Sequence, residues 1–293
     1  MYKRQGVRIT QAFQGEPCDL LIALHARRSY GSIERYARER PGAPLIVALT
    51  GTDLYGDIHE SAEAKASLRL ATRLVLLQPL GIHQLSETLH DKTRTVRQSA
   101  SRPRVLRARL GEGARTACVL AHLREVKDPL LAADAARLLP DDSQIRIFHL
   151  GAAMDESMAE RAKAAAKASK GRWRWIGECS RTEALRTLAA ADLLVLTSVQ
   201  EGGANVVTEA IACGVPVLST RIEGSRGILG EDYPGYFEPG DAEGLAAMLR
   251  RCEKDPVFYA TLRERCAALQ PLVDPANERE SWRSLLGELF EKA

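Results

Sequence analysis

Five short runs rich in Val, Ile and Leu, at 117–121, 145–150, 172–176, 193–197 and 215–219, alternate with segments of helical spacing at 129–139, 158–169, 181–190 and 206–213. Parallel strands buried on both faces by crossover helices produce this pattern. The first part of the chain repeats it less regularly, with strand candidates at 7–10, 19–24, 45–49, 73–77 and 94–98 and helical stretches near 32–40 and 62–71. The reading is an α/β protein of two doubly wound units. The polar, glycine-containing stretch 99–115 serves as linker. The units are 1–113 and 114–275, and 276–293 forms a terminal helix. Trp282, Leu285, Leu286 and Leu289 share one face of that helix, which must dock, and the expected place is back on the first unit. A ligand site is then expected between the carboxyl ends of the two sheets.

With 293 residues, 27% charged and 45% hydrophobic, the chain is neither disordered nor fibrous. It contains no apolar run near the roughly 20 residues needed to span a bilayer and no apolar signal core after Met1, so a cytoplasmic location without membrane association is expected. The six cysteines form no CxxC pair, and Cys and His do not cluster. Reduced structural thiols and metal-independent chemistry follow. The net charge of +3 conceals an asymmetry: residues 1–113 carry 18 Lys and Arg against 11 Asp and Glu, or +7, and 114–293 carry 23 against 27, or −4. The basic half attracts anions, and with aromatics at only 5% a small phosphorylated ligand fits better than nucleic acid.

Common nucleotide motifs are missing. Gly111-Glu112-Gly113 lacks the third glycine of a dinucleotide fingerprint and precedes a strand, and there is no Walker sequence and no G-x-S-x-G elbow. The informative stretch runs from Asp192 to Val217. A buried strand ends at Ser198, small residues Gly202, Gly203 and Ala204 form a turn, and a helix from about Asn205 ends at Gly214, a natural C-cap. The turn lets a ligand approach the backbone, and the helix start offers unpaired N–H groups to a diphosphate. Glu201 lies in the turn, and Glu209 lies one helical turn past Asn205 on the same face. In isolation two such acids read as solvent-exposed helix-end charges.

In context, strand, turn, carboxylate-flanked helix and the Gly-Val-Pro-Val strand resemble the E-x7-E donor motif of family 4-type glycosyltransferases with the GT-B fold. The resemblance implies two Rossmann-like domains facing across a cleft, with Glu201 meeting sugar hydroxyls and Glu209 a ribose. Gly202, Gly203, Ala204 and Asn205 would lie along the donor. The segment Val119 to Pro129 resembles the strand and loop that carry an Arg and a Lys for the donor diphosphate. Lys127 falls on the Lys position, His122 replaces the Arg, and Arg124 stands two residues on. Fixed cations there stabilise the charge gained by a departing nucleotide diphosphate. Trp173 to Glu178, with Gly177 at its turn, matches the segment that contacts the base.

Polar groups also mark strand ends in the first half. His25, Arg27 and Arg28 are placed to hold an anionic acceptor, and His25 is otherwise a satisfied structural histidine. Thr50, Gly51 and Asp53 read either as acceptor contacts or as a turn with an Asp cap. Together with 230–237, these blocks resemble the selenosugar synthases of selenoneine biosynthesis (SenB type), over nearly the whole chain. The resemblance implies catalytic roles for His25, Arg124, Lys127 and Glu201. It implies UDP-N-acetylglucosamine or UDP-glucose as co-substrate with no further cofactor, selenophosphate as acceptor, and association with selenophosphate synthetase and selenoneine synthase. A hexosyltransferase acting on a hydroxyl, with Asp53 or His25 as base, and a non-catalytic nucleotide-sugar binding module are the alternatives. Members of the family open with a strand and a glycine loop, whereas this chain begins at what reads as the second strand. The first domain is thus expected to lack its first strand and helix, with donor binding kept and turnover impaired.

Overall fold

The computed structural model describes residues 6–103 and 115–290. In the first domain the elements are β1 (Leu21–Leu24), α1 (Tyr30–Glu39), β2 (Leu45–Ala48), a π-helical turn Asp53–Asp57 running into α2 (Ile58–Glu60), α3 (Ala62–Leu70), β3 (Arg73–Leu76) and β4 (Thr93–Thr95). Two 3-10 turns, Pro79–Gln84 and Glu87–Lys92, join β3 to β4. The second domain contains β5 (Thr116–Leu120), α4 (Leu131–Leu138), β6 (Arg146–Leu150), α5 (Glu156–Ala168), β7 (Trp173–Gly177), α6 (Arg181–Ala190), β8 (Leu193–Leu196), α7 (Asn205–Cys213), β9 (Val217–Thr220), α8 (Glu223–Leu229), β10 (Tyr236–Phe237), α9 (Ala242–Lys254) and α10 (Pro256–Ala268). The 3-10 turn Gln270–Val273 leads into α11 (Pro275–Phe290).

Both sheets are parallel, in the orders β1-β2-β3-β4 and β10-β9-β8-β5-β6-β7. Strands β2 and β8 are buried at every position, as strands covered on both faces must be. In the second sheet the chain leaves β5 toward β6 and β7, then returns on the other side of β5 with β8. The connections therefore diverge between β5 and β8. A crevice opens at the carboxyl ends of two such strands, where ligands of doubly wound folds bind.

The run 7–10 is not a strand: it has no regular structure, and Val7 and Ile9 are 91% and 95% exposed. Val7 and Ile9 stay exposed and the run pairs with no described strand, so hydrophobicity there builds no sheet. The linker's central part and the 113/114 boundary lie outside the described residues. Gly214 ends α7 at φ 72, the left-handed region that a glycine enters without a Cβ penalty.

Helix α11 lies on the first sheet. Leu285 is 2% exposed and clusters with Ile46, Ala48, Val75 and Val96, with Trp282, Leu286 and Leu289 packed around them. Glu288 ties the helix end to Arg73 at 3.1 Å and Arg94 at 2.8 Å. These pairs are partly exposed and contribute little beside the apolar contact. Leu285→Ala is expected to lower stability by about 3 kcal/mol, read as a lower urea midpoint. An unchanged midpoint would show that the helix is not held by this cluster.

Candidate functional site

The loops after β5 and β8 meet at the divergence of the second sheet. Thr197 Oγ1 donates to the Lys127 carbonyl at 2.8 Å, and the Val199 N–H donates to the Val126 carbonyl at 3.0 Å. These bonds bring Lys127 Nζ to 2.5 Å from Glu201 Oε1, which also accepts from Ser198 Oγ at 2.7 Å. The Glu201 side chain is only 12% exposed, and a carboxylate so withdrawn from water requires such partners. Helix α7 begins three residues after Gly202, with Ala204 at its N-cap and no side chain capping its first turn. Asn205 Oδ1 accepts instead from Thr208 Oγ1 at 3.2 Å. The first N–H groups of α7 therefore face the turn as donors for an anion.

Glu209, on the same helix, is 7% exposed and pairs with Arg181 Nη2 at 2.6 Å. Burial pushes its carboxyl above the ordinary range, and the Arg181 guanidinium pulls it back. On the other flank, His122 and Arg124 are exposed; His122 Nδ1 accepts the Ala152 N–H at 3.0 Å and so helps hold the loop after β6. Gly177 takes φ 85, and its carbonyl accepts the Gly151 N–H at 2.8 Å. Trp175 Nε1 donates to the Gly151 carbonyl, and a Cβ on Gly151 would stand 1.9 Å from the Ala121 carbonyl oxygen. The ends of β5, β6 and β7 are thus knitted into one rim.

The first domain reaches this rim through backbone. A Cβ on Gly202 would lie 2.4 Å from the Thr50 carbonyl carbon, and one on Gly51 2.9 Å from the Gly202 nitrogen. Gln200 Nε2 donates to the Gly51 carbonyl at 2.8 Å, and Gln84 Nε2 donates to Glu223 Oε2 at 3.0 Å. On its other side the Glu201 backbone carries α8, since a Cβ on Gly224 would stand 2.1 Å from the Glu201 carbonyl oxygen.

Asp53 links this contact to the basic cluster and does not face an acceptor. Fully buried, it accepts from the Thr50 N–H and Oγ1 and from the Ala26 N–H, each at 2.8 Å. It therefore has no carboxylate face left for an acceptor or for use as a base, which departs from the acceptor contact expected of it. It fixes the loops after β1 and β2 against each other. His25 sits at φ 73, a conformation costly for a non-glycine residue and held here by its surroundings. Its Nδ1 accepts the Arg28 N–H at 3.2 Å, which places the ring proton on Nε2, 3.0 Å from Thr52 Oγ1. Burial, helped by Arg28 and Arg27, lowers the His25 pKa against the pull of Asp53 and Asp57, which favours the neutral ring, and its Nδ1 lone pair is occupied.

Sequence reading missed Asp57. Its Oδ2 lies 3.0 Å from Arg27 Nε and 3.6 Å from His25 Nε2, an ion pair with a half-exposed guanidinium in which Oδ2 makes no hydrogen bond. The available signal was its spacing of four from Asp53, one helical turn on. Arg181 and Ser198 were also missed. Arg181 directly follows the capping residue Ser180, and only the fold shows that it reaches α7.

Residues 107–268 match the family profile of glycosyl transferases group 1. Among named proteins, the chain is 37% identical over 79 residues to the N-acetyl-alpha-D-glucosaminyl L-malate synthase of Bacillus anthracis, covering 27% of this chain and 21% of that protein. It is 38% identical over 79 residues to the lipopolysaccharide core biosynthesis glycosyltransferase LpsE of Rhizobium meliloti, covering 27% and 23%. The match therefore spans less than a quarter of either relative. The fold resembles Anabaena Alr3699/HepE, solved in complex with UDP, at TM-score 0.76 and 18% identity over 92% of this chain and 79% of the other. It also resembles the sucrose-phosphate synthase of Thermosynechococcus elongatus, at TM-score 0.75 and 18% identity over 94% and 74%. These neighbours have the GT-B fold, two Rossmann-like α/β domains.

Gly202→Ala forces a Cβ into the Thr50 carbonyl carbon and is expected to cost about 2 kcal/mol as the two loops part. Gly31→Ala, in α1 with open space around it, should be neutral or stabilising by about 0.5 kcal/mol. Urea titration of both variants checks this, and equal midpoints would contradict the close approach.

Proposed function

The chain belongs to the glycosyl transferases of group 1, and on that premise we propose that it moves a hexose from a UDP-sugar to selenophosphate. The observation that carries the transfer chemistry is the convergence of Lys127, Glu201 and the uncapped start of α7 at the divergence of the second sheet. A diphosphate fits the N–H groups of α7 and draws Lys127 away from Glu201, which is then free to accept from sugar hydroxyls. Arg124 is exposed beside it and adds positive charge. His122 and Gly177 border the base end. Anabaena HepE, the structural neighbour, was solved with UDP and also with UDP-glucose, which supports a uridine nucleotide as the donor.

The acceptor side supports an anionic nucleophile. Arg27, paired with Asp57, and the exposed Arg28 offer charge for phosphoryl oxygens. No base is needed: selenium in selenophosphate already carries the electron pair. Neutral His25 has its lone pair taken by a backbone N–H, and Asp53 is fully bonded. A hydroxyl acceptor would need one of them. Thr50 and Gly51 border this side and hold the two domains together. In the reaction, selenium forms a bond to the anomeric carbon as the bond from that carbon to the UDP oxygen breaks, and UDP leaves with its electron pair. Water then cleaves the Se–P bond, releasing phosphate and the 1-selenosugar. UDP-N-acetylglucosamine and UDP-glucose both fit this scheme. Enzymes that make selenophosphate and that consume the selenosugar are the implied partners.

Incubation with each UDP-sugar and either selenophosphate or a panel of alcohols, read by UDP release and a selenium–carbon NMR signal, tests the proposal. Transfer to selenophosphate and not to alcohols is expected, at the reduced rate that the sequence reading implies, and Lys127→Ala should lower that rate about 100-fold or more. Transfer only to alcohols contradicts the acceptor, and UDP binding without release under any acceptor contradicts transfer altogether.

A further inference from the structure

Arg181 and Glu209 form a one-sided pair. The acid is 7% exposed on α7, whereas the Arg181 side chain is 69% exposed and reaches it from the surface, with Nη2 to Oε1 at 2.6 Å. The backbone of Arg181 is fixed by a capping box in which Ser180 and Glu183 satisfy each other's N–H groups at the start of α6. This start follows the Gly177 turn, so Arg181 stands between the rim of β7 and the acid on α7. A long exposed side chain can leave its partner at little cost.

We infer that Arg181 is a positioning residue for the nucleoside end of the donor: it keeps Glu209 ionised while the site is empty and yields it when a ribose diol arrives. This rests on the UDP-sugar reading above. A diol donates two O–H bonds, which a carboxylate accepts together; a protonated carboxyl must donate one bond itself. Burial works against the ionised form, and Arg181 opposes it. The elements packed on α7 carry few other charges. Helix α6 brings Arg181, Glu183 and Arg186, α8 brings Glu223 and Arg226, and α7 itself has the Cys213 thiol, while β8, β9 and the Gln270–Val273 turn bring no titratable group. Arg102 acts on the Cys213 thiol, which also feels Glu209, and Arg181 is the cation paired with the Glu209 carboxyl. An ion pair whose acid does not contact the ligand would leave the pH dependence of binding unmoved.

The sign follows directly. Glu209 has a raised pKa, so donor affinity falls as pH drops through that value; without Arg181 the value rises further and the fall begins at higher pH. The experiment is calorimetric titration of the full chain with UDP-glucose, whose two phosphates stay ionised throughout, between about pH 4.5 and 8.5, for the wild type, Arg181→Ala and Arg181→Lys. The Ala variant is expected to bind within about threefold of wild type at the alkaline end. Its acid-side loss should be displaced upward by about one pH unit, which is about tenfold in affinity on the falling limb. The Lys variant, which keeps the charge, should return most of the way. Superposable profiles for wild type and Arg181→Ala overturn the inference, as does an equal loss at every pH, which would mark a direct ligand contact. Wild type that does not bind UDP-glucose at all overturns the donor reading instead.

Discussion

Two glycine backbones, at 51 and 202, approach so closely that neither position has room for a Cβ, and the two-domain site depends on that approach. Each glycine follows a strand at the carboxyl edge of a parallel sheet, Gly51 after β2 and Gly202 after β8. The loops touch through main chain, so their relative position is set by backbone dimensions, with the Gln200 bond to Gly51 as the tether. From Gly51 the constraint passes through Thr50 to Asp53, and from Asp53 to Ala26 and the neighbouring His25. From Gly202 it passes through Glu201 to Lys127. Few flexible side chains intervene between the basic cluster of one domain and the ion pair of the other.

Burial assigns the carboxylates their different roles. Asp53 is fully enclosed and fully bonded, and so acts as scaffold. Asp57 is partly enclosed and pairs with Arg27. Glu201 and Glu209 are enclosed but paired with cations, and in the proposed reading a diphosphate and a ribose take the place of those cations. His25 is kept neutral by burial and occupied by a backbone N–H. These conditions favour leaving-group stabilisation over proton abstraction as the chemical contribution of the protein.

Much of the second domain was legible in the sequence, because its strands are buried on both faces and read as unbroken apolar runs. Helix α6 at Arg181–Ala190 coincides with the periodic stretch, and α7 with its Gly214 cap lies one residue from the expected start. The run 7–10 was misread because hydrophobicity without a pairing partner is no strand. The short β10 and helices α8 to α10 were not read from the sequence: β10 pairs with β9, α9 packs on α4, α10 on α9, and α8 against the Pro79–Gln84 turn of the first domain. At the site, residues in local motifs were found, and residues that meet across the fold were missed. Asp57 and Arg181 act through contacts 30 and 28 residues away in the chain. Asp53 was read either as an acceptor contact or as a turn cap, and its bonds to Thr50 fit the cap, since spacing alone does not say whether a turn acid faces the cleft or the core.

A crystal structure of the chain with UDP bound tests the central claim most directly. The account predicts the pyrophosphate against the N–H groups at the start of α7, Lys127 Nζ moved from Glu201 to a phosphate oxygen, and the ribose on Glu209. UDP bound away from that turn, with the Lys127–Glu201 pair intact, would contradict it.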